Sequence, residues 1–231
     1  MKREFEEFSK EFQKSRDDYL VKTTFYITYA FLMTTATITL IEALRTKDSK
    51  IRNILNLETC ISVVAAFFYG RFVQEIKEGV DYSMINITRY TDWAITTPIM
   101  LLVLVLAFLY NTNGGPMKFS SYLIILLFNY IMLGFGYLGE IGYMEKTSAN
   151  AFGFAGFFGL FYYIYSQYIA GVNNFDNKML YYIFLILWVF YGVFYTFEPV
   201  MRNVGYNVLD LLSKCFVGIF FWAYYTGVFK L

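Results

Sequence analysis

The chain has 231 residues, is 58% hydrophobic and 22% aromatic, and carries a formal net charge of +1, with a mean hydropathy of +0.45. That composition excludes an ordinary soluble domain, and the absence of histidine excludes His-based metal sites, catalytic triads and histidine proton relays. No Gly-rich phosphate loop, no 20- to 50-residue repeat and no basic stripe of the nucleic-acid-binding kind is present.

The first nineteen residues, MKREFEEFSKEFQKSRDDY, are charged and lack the apolar stretch of a cleavable signal peptide. Phe5, Phe8 and Phe12 recur among charges, which suits an amphipathic helix lying at the membrane interface. A frayed polar leader is the plainer alternative. Seven apolar runs follow, at 20–44, 51–74, 86–110, 119–139, 149–171, 178–197 and 203–229, here A to G. Each is long enough to cross a hydrocarbon core of ~30 Å at ~1.5 Å per residue. Their loops are short, so no separate soluble domain fits. The expected architecture is an all-α, seven-transmembrane helix bundle over residues 20–231, preceded by the 1–19 leader. The runs lack the two-residue alternation of a barrel, and lipid favours helices because each segment satisfies its own backbone.

Between A and B, Arg45, Lys47, Lys50 and Arg52 surround one acid, Asp48, whereas the B–C connection carries Glu75, Glu78 and Asp81. The positive-inside bias makes the A–B loop cytoplasmic, hence an extracellular N-terminus and, after seven crossings, a cytoplasmic C-terminus. Cys60 and Cys215 fall inside spans with no metal-type spacing and read as small apolar residues; no metal site is expected.

Ionisable groups inside spans are expensive, so each is a candidate for function. Glu58 lies in B, Arg89 and Asp92 in C, and Asp210 with Lys214 in G. Arg89, Asp92 and Thr96 are spaced at i+3 and i+4 and share one helix face. Lys214 is too deep to snorkel and needs partners. An ion network for packing alone is one reading. It leaves unexplained the large rings near the middle of B, C and F: Tyr69, Trp93, Trp188, Tyr191 and Tyr195. A buried lysine ringed by aromatics and facing carboxylates suits a Schiff base with a conjugated aldehyde.

The stretch RYTDWAITTP (residues 89–98), followed by Asp210 and Lys214 at D-x-x-x-K spacing in the last of seven spans, resembles the microbial, bacteriorhodopsin-like rhodopsins. NYIMLGFG in D and WVFYGVFY in F are similar to that family's ring-contacting stretches, although Gly192 stands where a proline is usual. The resemblance covers nearly all of 20–229. It implies a photoreceptor rather than an enzyme, with all-trans retinal on Lys214 and Asp92 and Asp210 as counterions. Asp92 is the implied proton acceptor, with Arg89 on its extracellular side. Trp93 and Trp188 would clamp the polyene, with Tyr69, Thr97, Met132, Gly136, Tyr191 and Tyr195 around it. Met100 sits at a colour-tuning position, where methionine implies green absorption. Trimers or pentamers in a lipid bilayer are implied as well.

The resemblance leaves transport type open. Proton pumps of the family carry a carboxylate eleven residues after the counterion, and here that residue is Val103. Glu58 precedes Tyr69 by eleven residues, ~16 Å along a helix, and so occupies the depth of Val103. Among Leu57, Ile61 and Val64 it is a candidate proton donor; a helix-end carboxylate reaching the A–B basics is the alternative. Some rhodopsins of large DNA viruses are similar in placing a glutamate in B. Outward proton transport is the expected function, and a light-gated cation channel, with Glu58 and Asn207 narrowing its path, is the alternative. Glu198 is a candidate release group or else a rim charge.

Overall fold

A computed structural model describes the backbone of residues 2–79 and 81–227 and the side chains of residues 8, 9, 11–79 and 81–227. Seven helices form the bundle: α1 (Lys2–Arg45), α2 (Ser49–Lys77), α3 (Tyr82–Asn111), α4 (Phe119–Glu140), α5 (Lys146–Ile164), α6 (Phe175–Phe194) and α7 (Pro199–Thr226). Each expected span has its helix. Six of the seven are long and apolar enough to cross a membrane. The other, α5, has Lys, Thr, Ser and Asn in its first turns and three glycines, Gly153, Gly156 and Gly159, and is extended by a π-helical turn at Tyr165–Ile169.

The leader is helical but is not a separate element. Residues 1–45 contain neither glycine nor proline, so nothing breaks the backbone at residue 19, and α1 runs through it without interruption. Phe8 and Phe12 are exposed; the side chain of Phe5 lies outside the described residues.

Helix starts are fixed locally. The Asp48 carboxylate accepts from the backbone N–H groups of Lys50 and Ile51, the Asp81 carboxylate from Ser83 and the Asn174 side chain from Asn177, each filling donors that a helix start leaves open. Short connections make consecutive helices antiparallel neighbours, and α1 closes the ring by packing on α7. One end of the bundle therefore gathers the leader, the α2–α3, α4–α5 and α6–α7 loops; the other gathers the remaining loops and the C-terminus. We call them the leader end and the C-terminal end. Large apolar side chains such as Phe67, Leu127, Phe158 and Tyr162 are more than half exposed around the outside. A water-soluble monomer rarely shows so much apolar surface, whereas lipid covers it. Cys60 is exposed on this outer face and Cys215 is buried.

α7 is not uniformly α-helical. Leu211–Phe216 is π-helical and contains Lys214, a local widening found mostly at functional sites.

Candidate functional site

At the centre of the bundle the Lys214 Nζ donates to Asp92 Oδ2 at 2.7 Å and lies 3.5 Å from Asp210 Oδ1. All three side chains are buried, as are Arg89 and Thr96, so the face shared by Arg89, Asp92 and Thr96 does point inward. Thr96 turns its hydroxyl onto the Asp92 carbonyl at 2.9 Å.

The two carboxylates differ in their surroundings. Asp210 accepts from the Tyr69 hydroxyl at 2.8 Å and the Tyr191 hydroxyl at 2.6 Å, one on each oxygen, with Arg89 Nη1 at 3.4 Å. Asp92 has only Lys214 on one oxygen; its Oδ1 has no partner among the described residues. Asp210 thus has a donor on each oxygen, while Asp92 keeps one oxygen open.

Arg89 is caged on the leader side of this pair. It donates to Tyr69 at 3.0 Å, to Asn203 Oδ1 at 3.1 Å and to Asn207 Oδ1 at 2.6 Å, and its guanidinium carbon lies 5.1–5.7 Å from the rings of Phe25, Tyr69, Phe72 and Tyr206. Asn207 is held in turn, donating to Thr24 at 2.9 Å, while its carbonyl accepts from Thr28 at 3.0 Å.

From Lys214 and Asp210 a cavity runs between α3, α4, α5, α6 and α7. Trp93, Thr97, Met100, Met132, Gly136, Trp188, Tyr191 and Tyr195 all line it. Trp93 and Trp188 approach from different helices, and their indole N–H groups have no partner among the described residues. Asn129 lies behind the wall and braces Thr97 through its amide, at 2.9 Å. Gly192 is on the wall with Phe154 packed directly over it, so the residue that stands where proline is usual provides close α5–α6 contact, and α6 continues unbroken through it.

Two further expected positions are placed by the structure. Tyr69 sits in the Arg89–Asp210 network, its hydroxyl donating to Asp210, and is not among the residues lining the cavity. Glu198 is exposed at the start of α7, a rim position. The buried acid at the leader end is instead Glu140, whose two oxygens share Arg202 Nη1 at 2.6 Å. Nothing in the sequence links two residues so far apart. Tyr206, which lines the cavity and stacks on Tyr191 at 5.7 Å between centroids, was visible in principle, since it precedes Asp210 by four residues and Lys214 by eight.

Glu58 lies on the C-terminal side of Lys214. It is 2% exposed and forms no hydrogen bond or ion pair among the described residues; of the A–B basics, Arg45 pairs with Glu42 and Arg52 with the Thr46 carbonyl. Val103 is fully buried in the apolar cluster.

A family model for bacteriorhodopsin-like protein matches residues 20–228. A green-light absorbing proteorhodopsin from gamma-proteobacterium EBAC31A08 is 26% identical over 153 residues, covering 59% of this chain and 60% of that relative's own length. Among solved structures, the viral rhodopsin OLPVRII is 59% identical, covers 90% of this chain and 99% of its own, and superposes with a TM-score of 0.86. A blue light-absorbing proteorhodopsin from Med12, at 20% identity with a TM-score of 0.74 and coverage of 91% and 99%, shares the fold. Members of the family hold retinal as a Schiff base on a lysine. The chain therefore belongs to the bacteriorhodopsin-like rhodopsins, as a retinal-binding integral membrane protein and not an enzyme.

Proposed function

We propose that this rhodopsin is a light-driven outward proton transporter in which Lys214 carries the retinal, Asp92 accepts the proton and Glu58 returns one. The observation that carries the reading is the buried Lys214 Nζ, 2.7 Å from Asp92 Oδ2, at the head of an aromatic-lined cavity. The cavity suits the polyene: the Trp93 and Trp188 rings line it, and Gly136 and Gly192 let the Tyr90 and Phe154 rings close against its wall. Bound there, retinal supplies light absorption and an isomerisation that re-aims the N–H bond at Lys214.

In the dark, two carboxylates and one arginine surround the Lys214 cation, and the buried charges nearly balance. Once the N–H bond turns away, Asp92 loses the one hydrogen-bond donor it has among the described residues, and protonation relieves a lone buried anion. Asp210 keeps its two phenols and Arg89. Transfer therefore runs to Asp92, on the leader side. Glu58, buried without a countercharge on the other side, holds a proton that the Lys214 nitrogen takes back. With the basic A–B loop cytoplasmic, the leader end is extracellular and net transfer is outward. Met100 on the cavity wall supports green absorption, and assembly into trimers or pentamers is part of the same reading.

The polar column from Arg89 through Asn207 to Thr24 supports a second reading, a light-gated cation channel. Whole-cell photocurrent under voltage clamp separates the two. A current that stays outward at every holding potential is the expected result; reversal near a cation's equilibrium potential establishes the channel and recasts Glu58 and Asn207 as gate residues.

A further inference from the structure

The donor role of Glu58 leaves a gap between its carboxyl and the Lys214 nitrogen. Two buried hydroxyls occupy the seam between α1, α2 and α7 that fills this gap. Hydroxyls on these helices ordinarily turn back onto their own backbone: Thr34, Thr37, Thr39 and Thr59 each donate to the carbonyl four residues earlier at 2.9 Å. Thr35 and Ser62 do not. Both are completely buried, and neither oxygen has a partner among the described residues. Leaving a buried hydroxyl unpaired costs on the order of 1–3 kcal/mol, so two of them near the depth of Glu58 point to a polar passage rather than packing.

The seam has a defined geometry. A methyl group built on Gly218 lies 2.8 Å from Thr35 Cγ2 and 3.0 Å from Glu58 Oε2, so Thr35 and Glu58 close on the same point of α7. Gly218 is one turn beyond Lys214, about 6 Å along the helix. The Thr35 hydroxyl lies beside the Cys215 thiol, and Cys215 is the residue after Lys214. Ser62 follows Glu58 by one turn on the same face of α2, toward the depth of Lys214.

We propose that Thr35, Ser62 and the Cys215 thiol form the proton relay from Glu58 to the Lys214 nitrogen, and that Gly218 is glycine because any side chain there would block it. The relay rests on the donor reading of Glu58. Each hydroxyl or thiol accepts one proton as it passes its own onward, so the relay groups end unchanged, Glu58 is left as a carboxylate, and the Lys214 nitrogen gains the proton. Glu58 then regains one from water at the C-terminal end.

The test is flash photolysis of the full-length, retinal-loaded protein in lipid nanodiscs, following reprotonation of the Lys214 nitrogen in Thr35→Val, Thr35→Ser, Gly218→Ala and Glu58→Gln. Thr35→Val and Gly218→Ala are expected to slow it at least tenfold with the dark absorption maximum unchanged. Thr35→Ser should restore the wild-type rate, and Thr35→Val should add nothing to Glu58→Gln. Light-minus-dark infrared spectra should show the S–H band of Cys215, absent in Cys215→Ala, moving together with the Glu58 carboxyl band. If Glu58→Gln is slow while Thr35→Val reprotonates at the wild-type rate, the relay is wrong and the donor stands. If Glu58→Gln itself is fast, the donor reading falls and the relay with it. Thr35→Val is nearly isosteric, so it decides the matter should Gly218→Ala fail to fold.

Discussion

The two halves of the bundle, divided at Lys214, solve opposite problems. On the leader side Arg89, Tyr69, Asn203, Asn207 and Asp210 hold one another in one network and aromatic rings enclose the guanidinium, with Asn86, unpartnered among the described residues, the exception. On the C-terminal side an apolar cluster that includes Leu101, Val103, Leu104 and Phe108 surrounds a few polar groups, Glu58, Thr35 and Ser62, that have no partners among the described residues. A satisfied network is rigid and fixes charge in place. Unsatisfied groups in an apolar half favour staying neutral, and they conduct only when something nearby rearranges. In the proposed transport, proton acceptance falls to the preorganised half and resupply to the half that has to open.

The largest expected effect lies on the boundary itself. Lys214→Ala reconstituted with retinal should show no visible absorption band, and retained colour would remove the basis for both halves' roles. Next, Asp92→Asn removes the acceptor with its open oxygen, and light-driven acidification by cells should fall about 100-fold, the range of a lost acid–base group. The same change at Asp210 should instead disturb the dark pigment, because two phenols and Arg89 lose their shared acceptor.

In the other half, Glu58→Gln should slow reprotonation about 100-fold, with added azide restoring it. Equal rates would erase the asymmetry. On the satisfied side, Asn207→Leu strands Arg89 and Thr24, at a cost of roughly 1–3 kcal/mol. Thermal unfolding in detergent should drop by several degrees, whereas Ser62→Ala, which strands nothing, should leave it near wild type.

The smallest effect is expected at the surface. Asp48→Ala removes the α2 cap and about 1 kcal/mol. The Lys50 and Ile51 N–H groups hold the Asp48 carboxyl below its ordinary value. The cap's contribution is therefore fully present above the ordinary carboxylate range and is lost as pH falls through the lowered folded value. A thermal melting series from neutral to acidic pH should show the wild type approaching Asp48→Ala only at the acid end.

Seven spans, the inward face of Arg89, Asp92 and Thr96, and most of the cavity wall were legible because each depends on periodicity along one helix. The depth of Tyr69 in B was legible, but depth does not say which partner its hydroxyl will reach, here Asp210. The unbroken α1 was missed because the leader's charge pattern changes at residue 19 while its backbone propensity does not. Glu140 with Arg202, and Thr35 with Glu58 and Gly218, join helices distant in the chain, and no spacing rule reaches across such gaps.

By itself the sequence determined what must be buried and what would be costly there. Twenty-residue apolar runs cannot avoid lipid, and a lysine with two aspartates inside them cannot avoid one another. Only the tertiary structure decided how those charges were apportioned. Tyr69 and Tyr191 came to Asp210, leaving Asp92 with one open oxygen, and the hydroxyls nearest Glu58 stayed unpaired. Hydrogen-bond reach is about 3 Å, and which groups come that close depends on how the helices rotate against one another in the packed bundle.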